Sequence, residues 1–292
     1  MVQVASKRLR FLITAIHVTG DRICVASHTD SISFYHFDPD SGKIEFRKSD
    51  TVSRTIRHTM LLNGGMAVGS CMSGGLVGLY DDPDDKSFEH RLQRLFSFHY
   101  PDLLTQPMLS TLSAQRYTGS ERKLLRKHLL PWTAITEKDI QKASEEPLLP
   151  IVCCSLAGGV IQIHRLDASL YALLLALQER LIASEVPLLL GSSKDFKEWY
   201  CQLSHGETNT IHGDLLVSFF RLSASEQNQL LSAKDDSIDL IEAVRTFLAT
   251  MGPEGELVKP LGDFESWATV PMTVADAITV YEKIILELEN NT

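Results

Sequence analysis

The rhythm of apolar and polar positions changes near residue 168. Before it, short apolar runs give way to strict alternation, the mark of strands. After it, apolar residues recur at helical spacing. "RICVAS" (22–27) and "SISFYHFD" (31–38) read as two strands around the turn signal "HTD". "GGMAVGS" (64–70) and "GLVGLYDD" (75–82) repeat the arrangement around "CMSG". "PIVCCS" (150–155) and "VIQIHRLD" (160–167) repeat it around "LAGG". Aligned on Ser27, Ser70 and Ser155, each copy is an apolar strand, a short turn and an alternating strand. Ser27 and Ser70 lie 43 residues apart, and Ser70 and Ser155 lie 85 apart, close to twice that. A period of about 40–45 residues built from strand hairpins is the signature of β-propeller blades. Gly64, Gly65, Gly74, Gly75, Gly158 and Gly159 are read as turn glycines. A phosphate-cradling loop needs a helix directly after its glycines, and here a strand follows.

Two segments do not fit that rhythm. The N-terminal "MVQVASKRLRFLITAIHVTGDR" has the basic-then-apolar order of a signal peptide. Its apolar run is short, is broken by Thr14 and His17, and meets no small-residue cleavage site, so a strand is expected. Residues 101–149 read as an irregular insert. It holds a basic cluster with Arg116, Arg122, Lys123, Arg126, Lys127 and His128. Such a cluster is either a solvated loop face or a contact for nucleic acid or an acidic partner. It lacks the interleaved aromatics of a base-stacking platform, which favours the solvated face.

Past residue 168, "ASLYALLLALQERLIAS" places Leu170, Leu174, Leu177 and Leu181 on one helical stripe, with Pro187 beyond it. "SSKDFKEWYCQL" (192–203) reads as a second helix. Ser223 with Glu226, and Thr273 with Asp276, are spaced as capping boxes. "SIDLIEAVRTFLATM" and "TVADAITVYEKIILELE" are amphipathic, with a Gly/Pro-rich loop between them. In "HGDLLVSFFRLS", Asp214 stands where an N-cap or first-turn acid meets free backbone N–H groups. Gly213 permits a sharp turn there, and Leu216, Phe219 and Phe220 fall on a buried face. "HGD" is therefore read as a structural joint rather than as part of an active site.

The 292 residues, 44% hydrophobic and 22% charged, are enough for one large domain or two modest ones. A net charge of −9 disfavours a general nucleic-acid coat. Five cysteines, Cys24, Cys71, Cys153, Cys154 and Cys201, form no C-x-x-C pair and read as reduced, mostly buried thiols. The long apolar stretch after residue 169 carries Glu179, Arg180 and Glu185 and does not read as a membrane span. His164 and His205 have no carboxylate at a suggestive spacing. Asp81, Asp82, Asp84 and Asp85 lack the Gly and Glu of a calcium loop and read as a hairpin tip. Neither a G-x-S-x-G elbow nor an H-E-x-x-H motif occurs. The residues point to no enzyme, no cofactor and no metal site.

"AGGVIQIHRLDASLYALLLALQERL", then "FKEWY", then "HGDLLVSFFRLS" resembles the C-terminal region of the CPSF-A family. The family includes the large subunit of damaged-DNA-binding protein, the A subunit of the cleavage and polyadenylation specificity factor, and the third subunit of splicing factor 3b. The likeness rests most on the strand that runs into a helix at Ser169–Leu170, and on Gly213, Asp214, Leu215 and Phe219. It is good over 151–231, fainter over 11–100 and poor over 116–147. It implies a large, non-enzymatic scaffold of nuclear complexes, either an adaptor of cullin-4 ubiquitin ligase or a component of mRNA 3′-end formation or splicing. In the second case Arg122, Lys123, Arg126 and Lys127 are the expected nucleic-acid contacts. No membrane and no small-molecule substrate is implied.

The expected fold is mainly β, a partial β-propeller of about three to four blades over 1–167, followed by an all-α helical domain over 168–292. So few blades imply either a fragment of a longer protein or a piece that a partner completes, and the fragment is favoured.

Overall fold

The computed structural model describes residues 5–62, 65–82, 90–100, 102–110, 128–132, 149–184, 209–232, 239–251 and 272–289. They fall into two compact units. The first holds the described residues of Met1–Thr111, Pro131–Ile163 and Ser204–Thr210. The second holds those of Leu112–Leu130, His164–Leu203 and Ile211–Thr292.

The first unit is built of antiparallel sheets. Strands β1 (Ile13–Thr19), β2 (Arg22–Ser27), β3 (Ile32–Asp38) and β4 (Lys43–Ser49) form a four-stranded meander in chain order. Strands β5 (Ile56–Leu62), β6 (Met66–Cys71), β7 (Leu76–Tyr80) and β8 (Gln93–Phe98) form a second. In a third, β9 (Met108–Leu109) and β12 (Val160–Ile163) flank β11 (Ile151–Cys154). The three strand pairs read from the sequence are β2–β3, β6–β7 and β11–β12. The apolar N-terminal run is the strand β1.

Three details depart from the sequence reading. The hairpin-closing bonds are Ser27 N–H to Ser31 O (2.9 Å), Cys71 N–H to Gly75 O (2.9 Å) and Ser155 N–H to Gly159 O (2.7 Å). Cys71, not Ser70, is therefore the counterpart of Ser27 and Ser155. Side chains agree: Ser27 Oγ accepts the Asp30 N–H at 2.6 Å and Ser155 Oγ the Gly159 N–H at 2.9 Å. Ser70 Oγ is buried with no hydrogen-bond partner among the described residues. Next, the strand expected over 160–167 breaks at His164, and its remainder, β13 (Arg165–Leu166), pairs with β10 (Leu129–Leu130). Finally, residues 101–149 are not wholly irregular. They supply β9 and β10, the fully buried Leu104, and Trp132, whose ring meets Phe96 edge-on at 5.9 Å.

The three sheets stack face to face. Alternation along a strand sends successive side chains to opposite faces, and the second sheet is apolar on both. Leu61, Ala67, Val77 and Leu79 pack with Cys24, Ala26, Ile32 and Phe34 of the first sheet. Met60, Leu62, Met66 and Val68 pack with Leu104, Ile151 and Cys153 on the other side. Polar ties hold the first pair in register: Thr14 Oγ1 donates to Ile56 O at 2.6 Å, and Lys48 Nζ reaches Asp81 Oδ1 at 3.1 Å. Along β8, Asn209 Nδ2 donates to Leu95 O (3.1 Å) and Thr210 Oγ1 to Ser97 O (3.4 Å), so a later segment straps the edge of the second sheet.

Among the described residues the second unit is helical apart from the short β10–β13 ladder, whose two strands precede residue 168. Its helices are α1 (Ala168–Ala183), α2 (Gly213–Ser218) with a 3-10 turn at Phe219–Arg221, α3 (Ala224–Ser232), α4 (Leu240–Met251) and α5 (Val274–Glu289). The stripe Leu170, Leu174, Leu177 and Leu181 is buried, joined by Leu173 and Ala176. Each such leucine stabilises the unit by roughly 1.5–3 kcal/mol. Around it pack Leu215, Leu216, Phe219, Val244, Phe247, Tyr281 and Ile284. Both capping boxes form: Ser223 Oγ accepts the Glu226 N–H (3.3 Å) and Glu226 Oε2 the Ser223 N–H (2.7 Å). Thr273 and Asp276 do the same at 3.3 and 3.0 Å. Ser184 closes α1, its N–H on Arg180 O at 3.0 Å. The helix expected over 192–203, Pro187 and Cys201 lie outside the described residues.

Candidate functional site: two helix starts and a half-buried Ser–His–Asp cluster

The chain reaches α1 through Asp167, an N-cap whose carboxylate Oδ1 accepts the Leu170 N–H at 2.8 Å. The same carboxylate gathers two more groups. Asp167 Oδ2 lies 2.6 Å from His128 Nδ1, and Ser169 Oγ donates to Oδ1 and Oδ2 at 3.0 and 3.1 Å. Backbone completes the junction, Asp167 N–H donating to His128 O at 2.8 Å. His128 is buried, and its ring lies against Phe247 at 5.0 Å. Burial pushes the Asp167 carboxyl up, but the hydrogen bonds from His128, Leu170 and Ser169 outweigh it and hold it below the ordinary carboxylate value.

Serine, histidine and aspartate invite comparison with a nucleophilic triad. A triad needs serine on one imidazole nitrogen and the carboxylate on the other. Here Ser169 Oγ (3.3 Å) and Asp167 (2.6 Å) both address Nδ1, and Ser169 also donates to the carboxylate. The geometry gives serine no base to activate it. It is instead a cap that ties α1 to the β10–β13 ladder. The sequence hides it because 39 residues separate His128 from Asp167.

At the second start, α2 opens at Gly213, and His212 is its N-cap, with no side-chain cap bond. Asp214 is therefore the first-turn acid, not the cap, and it is exposed. Gly213 avoids the left-handed backbone region, and a Cβ there would meet nothing within 4 Å. No glycine is required, which corrects the sequence reading. What holds this start is Gln178 of α1, whose Oε1 accepts the His212 N–H at 2.7 Å in a buried site. Leu215, Leu216 and Phe219 are buried and Phe220 is half-buried, so that face packs as expected. Gln178 was missed because a glutamine beside a leucine stripe carries no signal of its partner.

Arg122, Lys123, Arg126 and Lys127 lie outside the described residues, as do Asp84, Asp85 and His205. Asp81 and Asp82 are held by Lys48, whose Nζ also donates to Asp82 O at 2.9 Å. Burial pushes the thiols of Cys24 and Cys153 up to about 12, and that of Cys71 up to about 11. Cys154 is exposed. Burial pulls the His164 imidazole down to about 4. Among the described residues no three His, Cys, Asp or Glu side chains gather as metal ligands, and no helix is long and apolar enough to cross a membrane.

A family model described as the CPSF A subunit region matches residues 1–221. No curated protein matches the sequence. The matched span covers all three sheets of the first unit, α1 and α2, and ends with the 3-10 turn. It reaches further toward the N-terminus than the strong likeness over 151–231, and α3, α4 and α5 lie beyond it.

Proposed function

The chain belongs to the CPSF A subunit region family, and from that premise we propose that it is a non-catalytic interaction scaffold, the C-terminal part of a CPSF-A-type nuclear protein. The observation that carries this reading is the stack of sheets with the second one apolar on both faces. Four-stranded meanders stacked in chain order are the material of propeller blades. In this reading the first two sheets are whole blades, the third is a further blade, and the helices from 168 onward form the helical domain. Its partners are other subunits of a nuclear multiprotein complex, with an adaptor of the cullin-4 ligase type preferred.

Affinity capture of the tagged chain from nuclear extract tests the reading. Ubiquitin-ligase components support the adaptor branch, and polyadenylation or splicing factors the mRNA-processing branch. Recovery of neither set counts against the scaffold. Retention of single-stranded RNA that weakens steeply with salt, and is lost when Arg122, Lys123, Arg126 and Lys127 become alanine, would favour the nucleic-acid-binding alternative.

A further inference from the structure

Strands β3 and β4 fall out of step by one residue. Phe34 pairs with Lys48 and Tyr35 with Phe46, so Arg47 is the extra residue of a β-bulge. A bulge re-aims the side chains around it, and this one delivers Arg47 to the rim where the first sheet meets the second. A cleft of about 320 Å³ opens there. Arg47 of β4, His36 of β3, Arg22 of β2 and Asp21 of the turn before it line one side, and Asp81, just after β7, lies on the other. Phe34 and Leu61, both buried, give the cleft an apolar wall.

The charges in the cleft are unevenly matched. Asp21 Oδ2 lies 3.2 Å from His36 Nδ1, and Asp81 Oδ1 lies 3.1 Å from Lys48 Nζ, so each carboxylate already has a basic neighbour. The guanidinia of Arg22 and Arg47 have no hydrogen-bond or ion-pair partner among the described residues. Arg22 is also seated by the turn beside it. A Cβ on Gly65, which has φ +88°, would come within 2.7 Å of Arg22 Nη1, so the guanidinium occupies space that a glycine leaves. Guanidinium forks beside an apolar wall match the paired oxygens of an oxyanion. Size and charge select which oxyanion. The cleft is at the small end of the roughly 300–1,000 Å³ of ligand pockets, which suits one or two side chains better than a nucleotide. Its lining sets two arginines against two aspartates. A doubly charged phosphate would meet both aspartates at close range, and a single carboxylate meets half that repulsion. The apolar wall suits the methylene stem of a glutamate. We propose that the cleft is a carboxylate-binding site, and that its ligand is a glutamate-bearing segment of a partner protein. The carboxylate chemistry rests on the cleft alone, and the choice of a protein segment rests on the scaffold reading.

Fluorescence anisotropy with the purified full chain tests it. The probe is a labelled peptide of alternating Glu and Ala, and the control is its Gln–Ala counterpart. The Glu peptide is expected to bind and the Gln peptide to fail. Arg22→Gln and Arg47→Gln should each weaken binding roughly tenfold to a hundredfold, the worth of a charge-assisted hydrogen bond. Arg57→Gln, which changes an exposed arginine outside the cleft, should leave binding unmoved. Neither cleft guanidinium is bonded within the described residues, so circular dichroism melts of Arg22→Gln and Arg47→Gln should match the parent. Equal binding of the Glu and Gln peptides, or binding that neither cleft variant weakens, overturns the site. Tighter binding of a phosphoserine–Ala peptide overturns the choice of a carboxylate. Displacement of the probe by free glutamate at the peptide's own concentration overturns the choice of a protein segment. Capture of nuclear partners is a separate readout, so a failed cleft with capture intact leaves the scaffold reading standing.

Discussion

Two neighbouring residues make the fold lose stability in acid, each over its own pH window. His164 has its imidazole pulled by burial to about 4, below its ordinary value. As pH falls from about 6.5 toward 4, the unfolded chain takes up a proton that the folded chain refuses, so stability is lost across that window, on the order of 3 kcal/mol. Urea unfolding at pH 7 and pH 5 should show the drop, and His164→Gln should flatten it. Asp167 is held below the ordinary carboxylate value. Its contribution is present above that value and is lost only as pH falls through the depressed one, so Asp167→Asn should leave the pH 7-to-5 slope untouched. At the second helix start, Gln178→Leu leaves the His212 N–H without its acceptor and should cost about 1–3 kcal/mol. Asp214→Ala removes only a first-turn charge, about 0.5 kcal/mol. Thermal melts that rank these two in the reverse order would contradict the assignment of the joint to Gln178. The sequence displays Asp214, whose position beside an apolar run is a local signal. It conceals Gln178 and His128, whose roles depend on partners 34 and 39 residues away.

At the scale of elements, local chemistry was legible wherever partners were close in sequence. Both capping boxes formed because each side chain reaches a backbone group three residues away. The hairpins were legible too, but their equivalence slipped by one residue because Ser70 looks like Ser27 in one-letter code. The hydrogen bonds across the turn, not the residue type, define the repeat. Strands such as β4, β5 and β8 carried weaker signals. Strand β4, "KIEFRKS", is mostly polar, as suits a sheet edge that must not recruit another chain. The turn glycines are not alike. Gly75 has φ +98°, and a Cβ there would collide with Phe98 O, whereas Gly158, at φ +94°, faces open space. Gly75→Ala should cost at least about 2 kcal/mol, and Gly158→Ala only about 1 kcal/mol. Denaturant midpoints of the two variants check the difference.

For the whole molecule, the change of rhythm near residue 168 foretold mainly β followed by helix, and the chain has sheets first and helices last. Periodicity could not foretell which segments leave one unit for the other, since exchange depends on tertiary packing. The buried core of the second unit also contains a polar atom with no counterpart among the described residues. Tyr281 is fully buried, and its hydroxyl has no hydrogen-bond partner among the described residues. Removing an unsatisfied group while keeping the ring should be neutral or favourable. Tyr281→Phe is expected to hold or raise the melting temperature, and a fall of several degrees would mean that the hydroxyl has a partner.

The strap at Asn209 and Thr210 has a consequence for how the gene can be divided. The first unit takes back a segment that lies after α1, and the second takes His128, Leu129 and Leu130 from before Trp132. The two units are interlaced along the chain, so no single cut separates them. A stop codon at residue 168 would yield a sheet stack stripped of its strap. The complementary piece would begin without the histidine and the strand that anchor its first helix. A deletion or splice variant that respects the apparent domain border would therefore damage both sides of it.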